Sequence, residues 1–198
     1  MIHSGKTMEL ILKRCTVRSF RPEDAQSHAH HANSWNVARN TCRMPYPYSI
    51  EDAKDWITTA INQKPETQFA IAVDGKSVGG IGLRLNGADC SDVVGHVAEV
   101  GYWLGEEFWG RGIMTEVVEA VTDWGFHTVG LVRVYAGVFA RNPASARVLE
   151  KAGYAFEGTQ HAAYLKDGEF IDGLLYAKVK LPQPGLRKAC QESPDPKS

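Results

Sequence analysis

The sequence has no excess of charge of either sign and no long apolar run. Its 198 residues include 22 Lys and Arg against 23 Asp and Glu, which gives a formal net charge of -1. Such a balance creates no overall field toward nucleic acid or an acidic membrane surface. No segment approaches the roughly 20 apolar residues of a membrane-spanning helix, and Glu9 interrupts the only apolar run near the N-terminus, which argues against a signal peptide. We therefore expect a soluble, cytoplasmic protein with no DNA and no membrane partner.

Paired cysteines are also missing. No two cysteines form a C-x-x-C pair, so neither a disulfide framework nor a zinc knuckle is expected from Cys15, Cys42, Cys90 and Cys190. His28 and His31 lie at i and i+3 on a predicted helix, with His30 between them, and such histidines can hold a metal. No Asp, Glu or Cys nearby in the sequence completes a tetrahedral set. The sequence therefore predicts a solvated histidine face and no metal site.

What is present is the composition of an ordinary globular domain. Hydrophobic residues make up 43% and charged residues 23% of the chain, and the length is sufficient for one substantial core. We expect one domain over residues 1–181. The polar, proline-rich residues 182–198 are predicted to be a disordered tail.

Hydrophobic periodicity and turn signals give an alternating order of elements. Residues 10–20 read as a strand, and Pro22 indicates the start of a helix over residues 23–34. Ser49 is a plausible N-cap for a second helix over residues 50–63. Hairpins are predicted at residues 74–75 and 166–168, strands over 97–104 and 132–140, and helices over 113–127 and 142–153. The order β-α-α-β-β-β-α-β-α-β-β indicates an α/β fold with a mixed sheet.

The stretch "FWGRGIMT", residues 108–115, places two glycines between a predicted strand and a predicted helix. As a P-loop it lacks the lysine and the Ser or Thr that phosphates and magnesium require, because Arg111 and Gly112 stand there. As a dinucleotide-binding motif it lacks the third glycine, because Thr115 occupies that position. A third interpretation needs only backbone N–H groups and the positive end of the helix dipole, which together suit a pyrophosphate. A tight turn without a ligand is the alternative.

The segment "AEVGYWLGEEFWGRGIMTEVVEAVTDWGF", followed by "VYAGVFARNPASARVLEKAGYAFEG", closely resembles the GNAT superfamily of N-acetyltransferases. Within it, the sequence is similar to the RimJ/RimL type, the ribosomal-protein N-terminal acetyltransferases. The resemblance covers residues 10–181 and implies the GNAT fold, a single mixed, mostly antiparallel sheet flanked by helices. It also implies acetyl-coenzyme A as the acetyl donor and no metal.

The resemblance further implies where coenzyme A would bind. Its pyrophosphate would meet the backbone of residues 109–115, and its thioester would lie along the strand that ends at Leu104. The implied contacts are Trp103, Leu104, Trp109, Gly110, Arg111, Gly112, Ile113, Met114, Thr115, Asn142 and Ser145. Met114 is bulkier than the Gly or Ala of the superfamily pattern. Asn142 can also cap its own helix.

The chemistry needs a neutral amine and a stabilised leaving thiolate. Glu99, on the strand before the turn, is the best candidate for a base, either directly or through water, and its alternative is an ordinary paired strand carboxylate. By the resemblance, a backbone N–H around Trp103 would bind the oxyanion. Many family members carry a tyrosine that protonates the leaving thiolate at the position where this chain has Leu149. That general acid is therefore absent here. Ser145 matches a serine implicated in RimL-type enzymes, and Tyr164 falls where that type can carry a glutamate, although either residue can instead be structural.

The predicted reaction is direct attack of a primary amine on acetyl-coenzyme A in a ternary complex. The resemblance implies that "MPYPYS", with Trp35 nearby, lines the pocket for the amine, which can belong to a protein N-terminus or to a small molecule. The alternative function is a module that senses acyl-coenzyme A without turning it over. A homodimer is the default oligomeric state.

Overall fold

The structure, a computed structural model, describes residues 8–86 and 95–181. The predicted disordered tail, Cys90 and Cys190 lie outside the described residues. Within these two ranges, no helix has both the length and the apolar character needed to cross a membrane.

A single eight-stranded sheet, in the order β1-β2-β3-β4-β5-β6-β8-β7, forms the centre of the molecule. Its strands are β1 (Glu9–Ile11), β2 (Thr16–Ser19), β3 (Gln68–Val73), β4 (Lys76–Leu85), β5 (Val97–Leu104), β6 (Arg133–Phe139), β7 (Ala155–Lys166) and β8 (Glu169–Val179). The helices are α1 (Ala25–Ala32), α2 (Trp35–Ala38), α3 (Ile50–Asn62), α4 (Ile113–Trp124) and α5 (Pro143–Lys151). Among these strands β5 and β6 are parallel and the other neighbours are antiparallel. The predicted mixed, mostly antiparallel sheet with flanking helices is confirmed.

The N-terminal strand prediction was wrong, because residues 10–20 form two strands. The Leu12 N–H donates to the Cys15 carbonyl (2.9 Å) and closes a turn between β1 and β2. The Lys13 N–H donates to Glu116 Oε1 of α4 (2.6 Å), and Arg14 pairs with the same carboxylate (3.2 Å). One backbone N–H and one guanidinium thus hold the turn against α4, a long-range contact that local periodicity does not encode.

Two helix boundaries also differ from the prediction. The short helix α2 follows α1, with the Ser34 hydroxyl accepting from the Val37 N–H (3.2 Å) as its cap. The helix predicted to reach residue 127 ends as α4 at Trp124, and a wider π turn, Gly125–Val129, continues the chain.

The local capping and turn signals are confirmed. Ser49 caps α3 in a capping box, since the Asp52 N–H donates to Ser49 Oγ (3.0 Å) and the Ser49 N–H donates to Asp52 Oδ2 (2.8 Å). Asn142 Oδ1 accepts from the Ser145 N–H (3.2 Å) at the start of α5. Both hairpin turns hold left-handed pairs, with φ of 49° and 77° at residues 74–75 and of 54° and 81° at residues 167–168, as a type I′ turn requires.

The sheet separates two hydrophobic cores. One contains α4 and α5, with Val117, Val121 and Leu149 fully buried. The other contains α1 and α3 and packs against Trp103. Because side chains alternate along a strand, β5 sends Tyr102 and Leu104 to the first face and Glu99 and Trp103 to the second.

The parallel strands β5 and β6 pair over only three positions and then separate. The pairs are Val97–Arg133, Ala98–Val134 and Glu99–Tyr135, although the strands continue to Leu104 and Phe139. The separation opens a wedge in the middle of the sheet, with one side made by β5 and the other by β6.

His28 does not belong to a solvated face, which corrects the prediction for the histidine cluster. It is 1% exposed, its Nδ1 lies 3.1 Å from Ser77 Oγ, and its ring meets Trp103 edge-on at 4.8 Å between centroids. Burial lowers the pKa of His28 from 6.5 to about 4. The side chain is therefore neutral at pH 7 and supports the wall of the wedge.

Burial of His28 makes the fold sensitive to acid. The unfolded chain takes up this proton near pH 6.5 and the folded chain near pH 4, so stability is intact above 6.5 and falls as the pH drops through this window. The expected loss from this group between pH 7 and pH 5 is about 2 kcal/mol. Denaturant unfolding at both values should show a smaller pH difference for His28→Asn than for the native chain. The control His96→Asn, at an exposed residue, should leave the difference unchanged, and an equal difference in all three proteins would contradict the burial effect.

Candidate functional site

A cavity of about 590 Å³ occupies the wedge between β5 and β6. Its walls are residues 99–103 of β5 and residues 136–139 of β6. One end is lined by Asn142 and Ser145 at the start of α5, and the other by α3 and the loop after α2. The cavity thus connects the α5 side of the sheet with the α3 side.

The backbone direction of β5 determines which groups enter the wedge. The Gly105 N–H donates to Val78 O (2.8 Å) and the Asn86 N–H donates to Val97 O (2.9 Å), so odd-numbered residues turn toward β4. Even-numbered residues turn to the opposite side, because backbone groups alternate in an antiparallel ladder. The N–H groups of Val100 and Tyr102 therefore face the wedge, whereas that of Trp103 faces β4.

The glycine turn leaves a row of backbone donors free. Gly110 and Gly112 adopt φ of 73° and 76°, which favours glycine. The first helical bond of α4 runs from the Glu116 N–H to Gly112 O (3.3 Å). Within the described residues, the N–H groups of residues 110–115 make no hydrogen bond. Ile113 and Met114 bury their side chains in the core, so the bulk of Met114 points away from these donors.

Side chains around the turn fix it to β5 and add positive charge. Trp109 Nε1–H donates to Leu104 O (2.7 Å), and the Arg111 guanidinium lies over the Phe108 ring at 5.3 Å. Arg14 approaches within 3.9 Å of the position that a Gly112 Cβ would take. Sequence reasoning missed Arg14 because it comes from the β1–β2 turn, 102 residues from its partner Glu116.

A second missed residue is Tyr102. Its hydroxyl lies 2.9 Å from Ser145 Oγ and 3.3 Å from the Ser145 carbonyl. Burial raises the pKa of Tyr102 to about 12. Leu149, where the family can carry a tyrosine, is 0% exposed in the core. Strand alternation would have placed Tyr102 on the α5 face, but its pairing with Ser145 depends on the fold.

Glu99 lies on the cavity wall and on the α3 face. Its carboxylate forms an ion pair with Arg84, the residue opposite it on β4. Glu99 is therefore a paired strand carboxylate, as the alternative to a base role expected. The ion pair also holds the carboxylate in one orientation beside the cavity. Trp103 follows on the same face, with its indole Nε1 3.0 Å from the position of a Gly80 Cβ.

Tyr164 is not among the residues that line the cavity, although it contacts residues that do. Its ring crosses two glycines of β6 and β8, and a methyl group at Gly137 would overlap the hydroxyl. Phe139 packs against the ring at 4.8 Å. Burial raises the pKa of Tyr164, and the neighbouring Cys42 and Glu99 raise it further. The structure thus brings Glu99, Ser145 and Asn142 together at the cavity, and Tyr164 lies next to the lining residues Gly137 and Phe139 without joining the lining.

The loop expected to line the acceptor pocket does so in part. Met44, Pro45 and Tyr48 line the cavity. Trp35 instead packs against Tyr46 at 5.6 Å, and neither is among the lining residues.

The fold brings one carboxylate, Glu107, to the histidine pair His30 and His31. Ligand atoms of His30, His31 and Glu107 lie within 4.8 Å of one another, and His31 Nδ1 is 3.1 Å from Glu107 Oε1. Three donors are one fewer than a closed tetrahedral site needs.

Known proteins share both the sequence pattern and the fold. Residues 14–155 match the family model described as an acetyltransferase (GNAT) domain. The probable N-acetyltransferase YjcK of Bacillus subtilis is 38% identical over 118 residues, which covers 56% of this chain and 62% of YjcK. The match therefore spans less than two thirds of that relative.

Two solved structures superpose on nearly the whole described chain. The ribosomal-protein-S5-alanine acetyltransferase of Vibrio fischeri has a TM-score of 0.75 at 23% identity and covers 87% of this chain and 96% of its own. Mycobacterium smegmatis RimJ, in complex with CoA-disulfide, has a TM-score of 0.72 at 23% identity, and the match covers 87% of this chain and 86% of RimJ. These likenesses confirm the predicted fold. The chain belongs to the GNAT acetyltransferase family, whose members take the acetyl group from acetyl-coenzyme A.

Proposed function

We propose that this chain transfers an acetyl group from acetyl-coenzyme A to a primary amine by direct attack in a ternary complex. The observation that carries the proposal is the wedge between β5 and β6, which opens to both faces of the sheet. The glycine turn and α5 flank it on one face, and Glu99 and α3 flank it on the other. Two reactants entering from opposite faces would meet at β5. The cytoplasmic location and the homodimer expected from the sequence remain predictions.

The free donors of residues 110–115 fit the diphosphate of coenzyme A. An anion there would receive several N–H groups at the positive end of α4, and Arg14 and Arg111 would add charge. Asn142 and Ser145 would contact the pantetheine arm where it enters the wedge. When bound, acetyl-coenzyme A supplies the activated acyl group, and the chain supplies orientation.

In the step itself, the amine nitrogen forms a bond to the acetyl carbon, the carbon–sulfur bond breaks, and the sulfur leaves with the electron pair. Glu99 accepts the proton that the nitrogen loses, directly or through one water. The N–H groups of Val100 and Tyr102 stabilise the charge that develops on the carbonyl oxygen.

The Tyr102–Ser145 pair stabilises the sulfur by donating a hydrogen bond. A phenol with a pKa of about 12 holds its proton more tightly than a thiol with an ordinary pKa of about 8.5. Complete proton transfer to the thiolate is therefore uphill, and the thiolate takes its proton from solvent. Tyr164, which packs against Phe139 of β6, supports that side of the cavity.

The sensor alternative rests on Leu149, since the family's tyrosine is absent there. Tyr102 and Glu99 on the cavity walls favour turnover, because a sensor needs neither. Release of free thiol in the presence of amines separates the two functions.

Gly112→Asp should weaken coenzyme A binding by about 100-fold or more, since it places a carboxylate against the diphosphate. Calorimetry with coenzyme A measures the effect. Gly130→Asp is the matched control, because Gly130 has φ of 84° and no neighbour within 4 Å of its added Cβ. Gly130→Asp should bind normally, and normal binding by a folded Gly112→Asp would refute the assignment of the turn.

Tyr102→Phe should lower kcat about 10- to 100-fold, the value of a hydrogen bond to a charged group, with little change in KM for either substrate. Steady-state kinetics followed by thiol release gives both constants. Tyr154→Phe controls for the loss of a buried hydroxyl, since Tyr154 lies 2.6 Å from Thr122 Oγ1 outside the cavity. If both variants lose activity equally, the effect is structural.

Glu99→Gln should lower the rate most at neutral pH and least as the pH approaches the pKa of the acceptor amine, because a neutral amine no longer needs a base. A pH profile of kcat/KM measures the recovery. Arg84→Gln breaks the same ion pair but keeps the carboxylate, and it should retain the native profile. A pH-independent loss in Glu99→Gln would exclude the base role.

A further inference from the structure

The α3 side of the cavity is formed by one stripe of a helix. Asp52, Asp55, Trp56 and Thr59 all line the cavity, and their i, i+3, i+4 and i+7 spacing places them on one face of α3. The opposite face of α3 buries Ala53, Ile57 and Ala60 against α1 and the sheet. The orientation of the polar stripe is therefore set by the core.

Negative charge prevails along this stripe. The hydrogen bonds from Ser49 lower the pKa of Asp52, so its carboxylate is ionised. No described Lys, Arg or His nitrogen lies within 4.0 Å of Asp55 in an ion pair. The other charged lining residues are Arg43 and Glu99, and Glu99 already pairs with Arg84. Two carboxylates of α3 thus face a cavity that offers them one lining cation.

An aromatic surface accompanies these carboxylates. Trp56 is 40% exposed although it lies on the cavity wall, and Tyr48 lies beside it in the lining. An indole face next to carboxylates attracts alkyl cations through both the ring quadrupole and the charge. This combination suits a ligand with a positive group on an apolar chain.

We propose that the acceptor is a small alkyl diamine or polyamine, whose second positive group binds between Asp55, Asp52 and Trp56 while its reacting amine lies at Glu99. This inference rests on the proposed acetyl transfer. A free amino acid would bring its own carboxylate against the stripe, and an uncharged alkyl tail would bring no positive charge to either carboxylate. A cationic tail satisfies the carboxylates and covers the indole.

The test compares three acceptors that share a five-carbon chain: 1,5-diaminopentane, pentylamine and 5-aminopentanoate. For the native chain, kcat/KM should be about 10-fold higher for the diamine than for either other acceptor, the combined effect of one ion pair and one cation–π contact. Asp55→Asn should remove that preference and leave pentylamine turnover unchanged. Glu51→Gln is the matched control, since it removes one negative charge from α3 outside the lining and should preserve the preference.

The outcomes separate this inference from the proposed function. Turnover of amines without a preference for the diamine overturns the inference and leaves acetyl transfer intact. Stronger turnover of a peptide with a basic N-terminal sequence than of the diamine has the same consequence. If no acceptor is turned over, the proposed function fails. Calorimetry with 1,5-diaminopentane then shows whether the α3 stripe binds a cation. Binding that Asp55→Asn weakens and Glu51→Gln does not supports the cation site, and equal or absent binding overturns it.

Discussion

The separation of β5 from β6 is the constraint on which the rest of the site depends. The strands pair at three positions, and beyond Glu99 the backbone groups of Val100 and Tyr102 face an opening. In an ordinary sheet those groups would be paired, because buried N–H and C=O groups are almost always satisfied. A ligand that lies along β5 with a carbonyl in the wedge would satisfy them. The fold thus creates unsatisfied donors where the thioester of the family's cofactor would lie.

The alternation of side chains along β5 assigns the two reactants to opposite faces. Tyr102 reaches α5 and Ser145, and Glu99 and Trp103 face α3. Trp103 is held between Gly80 and the buried ring of His28, so one strand positions both a hydrogen-bond donor and a carboxylate with little freedom. Much of the rate of such a reaction comes from orientation, and a rigid strand provides it without special side-chain chemistry.

Local signals predicted more of this protein than its long-range contacts. The caps at Ser49 and Asn142 follow from neighbouring residues, and they were confirmed. The burial of His28 and the approach of Arg14 to the glycine turn depend on elements far apart in the chain. Periodicity shows that a helix has an apolar face, but it does not show which polar residue that face encloses. The sequence therefore predicted the fold and the turn, and it missed the partners brought in by packing.

The replacement of the family's tyrosine shows how such a partner can take over a role. Leu149 of α5 is buried in the core. The phenol of Tyr102, on β5, contacts Ser145 in the first turn of the same helix. Its raised pKa makes it a poor proton donor to a thiolate, whereas a hydrogen bond to a charged sulfur requires only that the proton stay on oxygen. Burial, which would harm a general acid, therefore keeps this donor protonated over the whole range in which an amine can react. Under the proposed function, Tyr102 would supply from β5 the hydrogen bond that the family's tyrosine supplies from the helix.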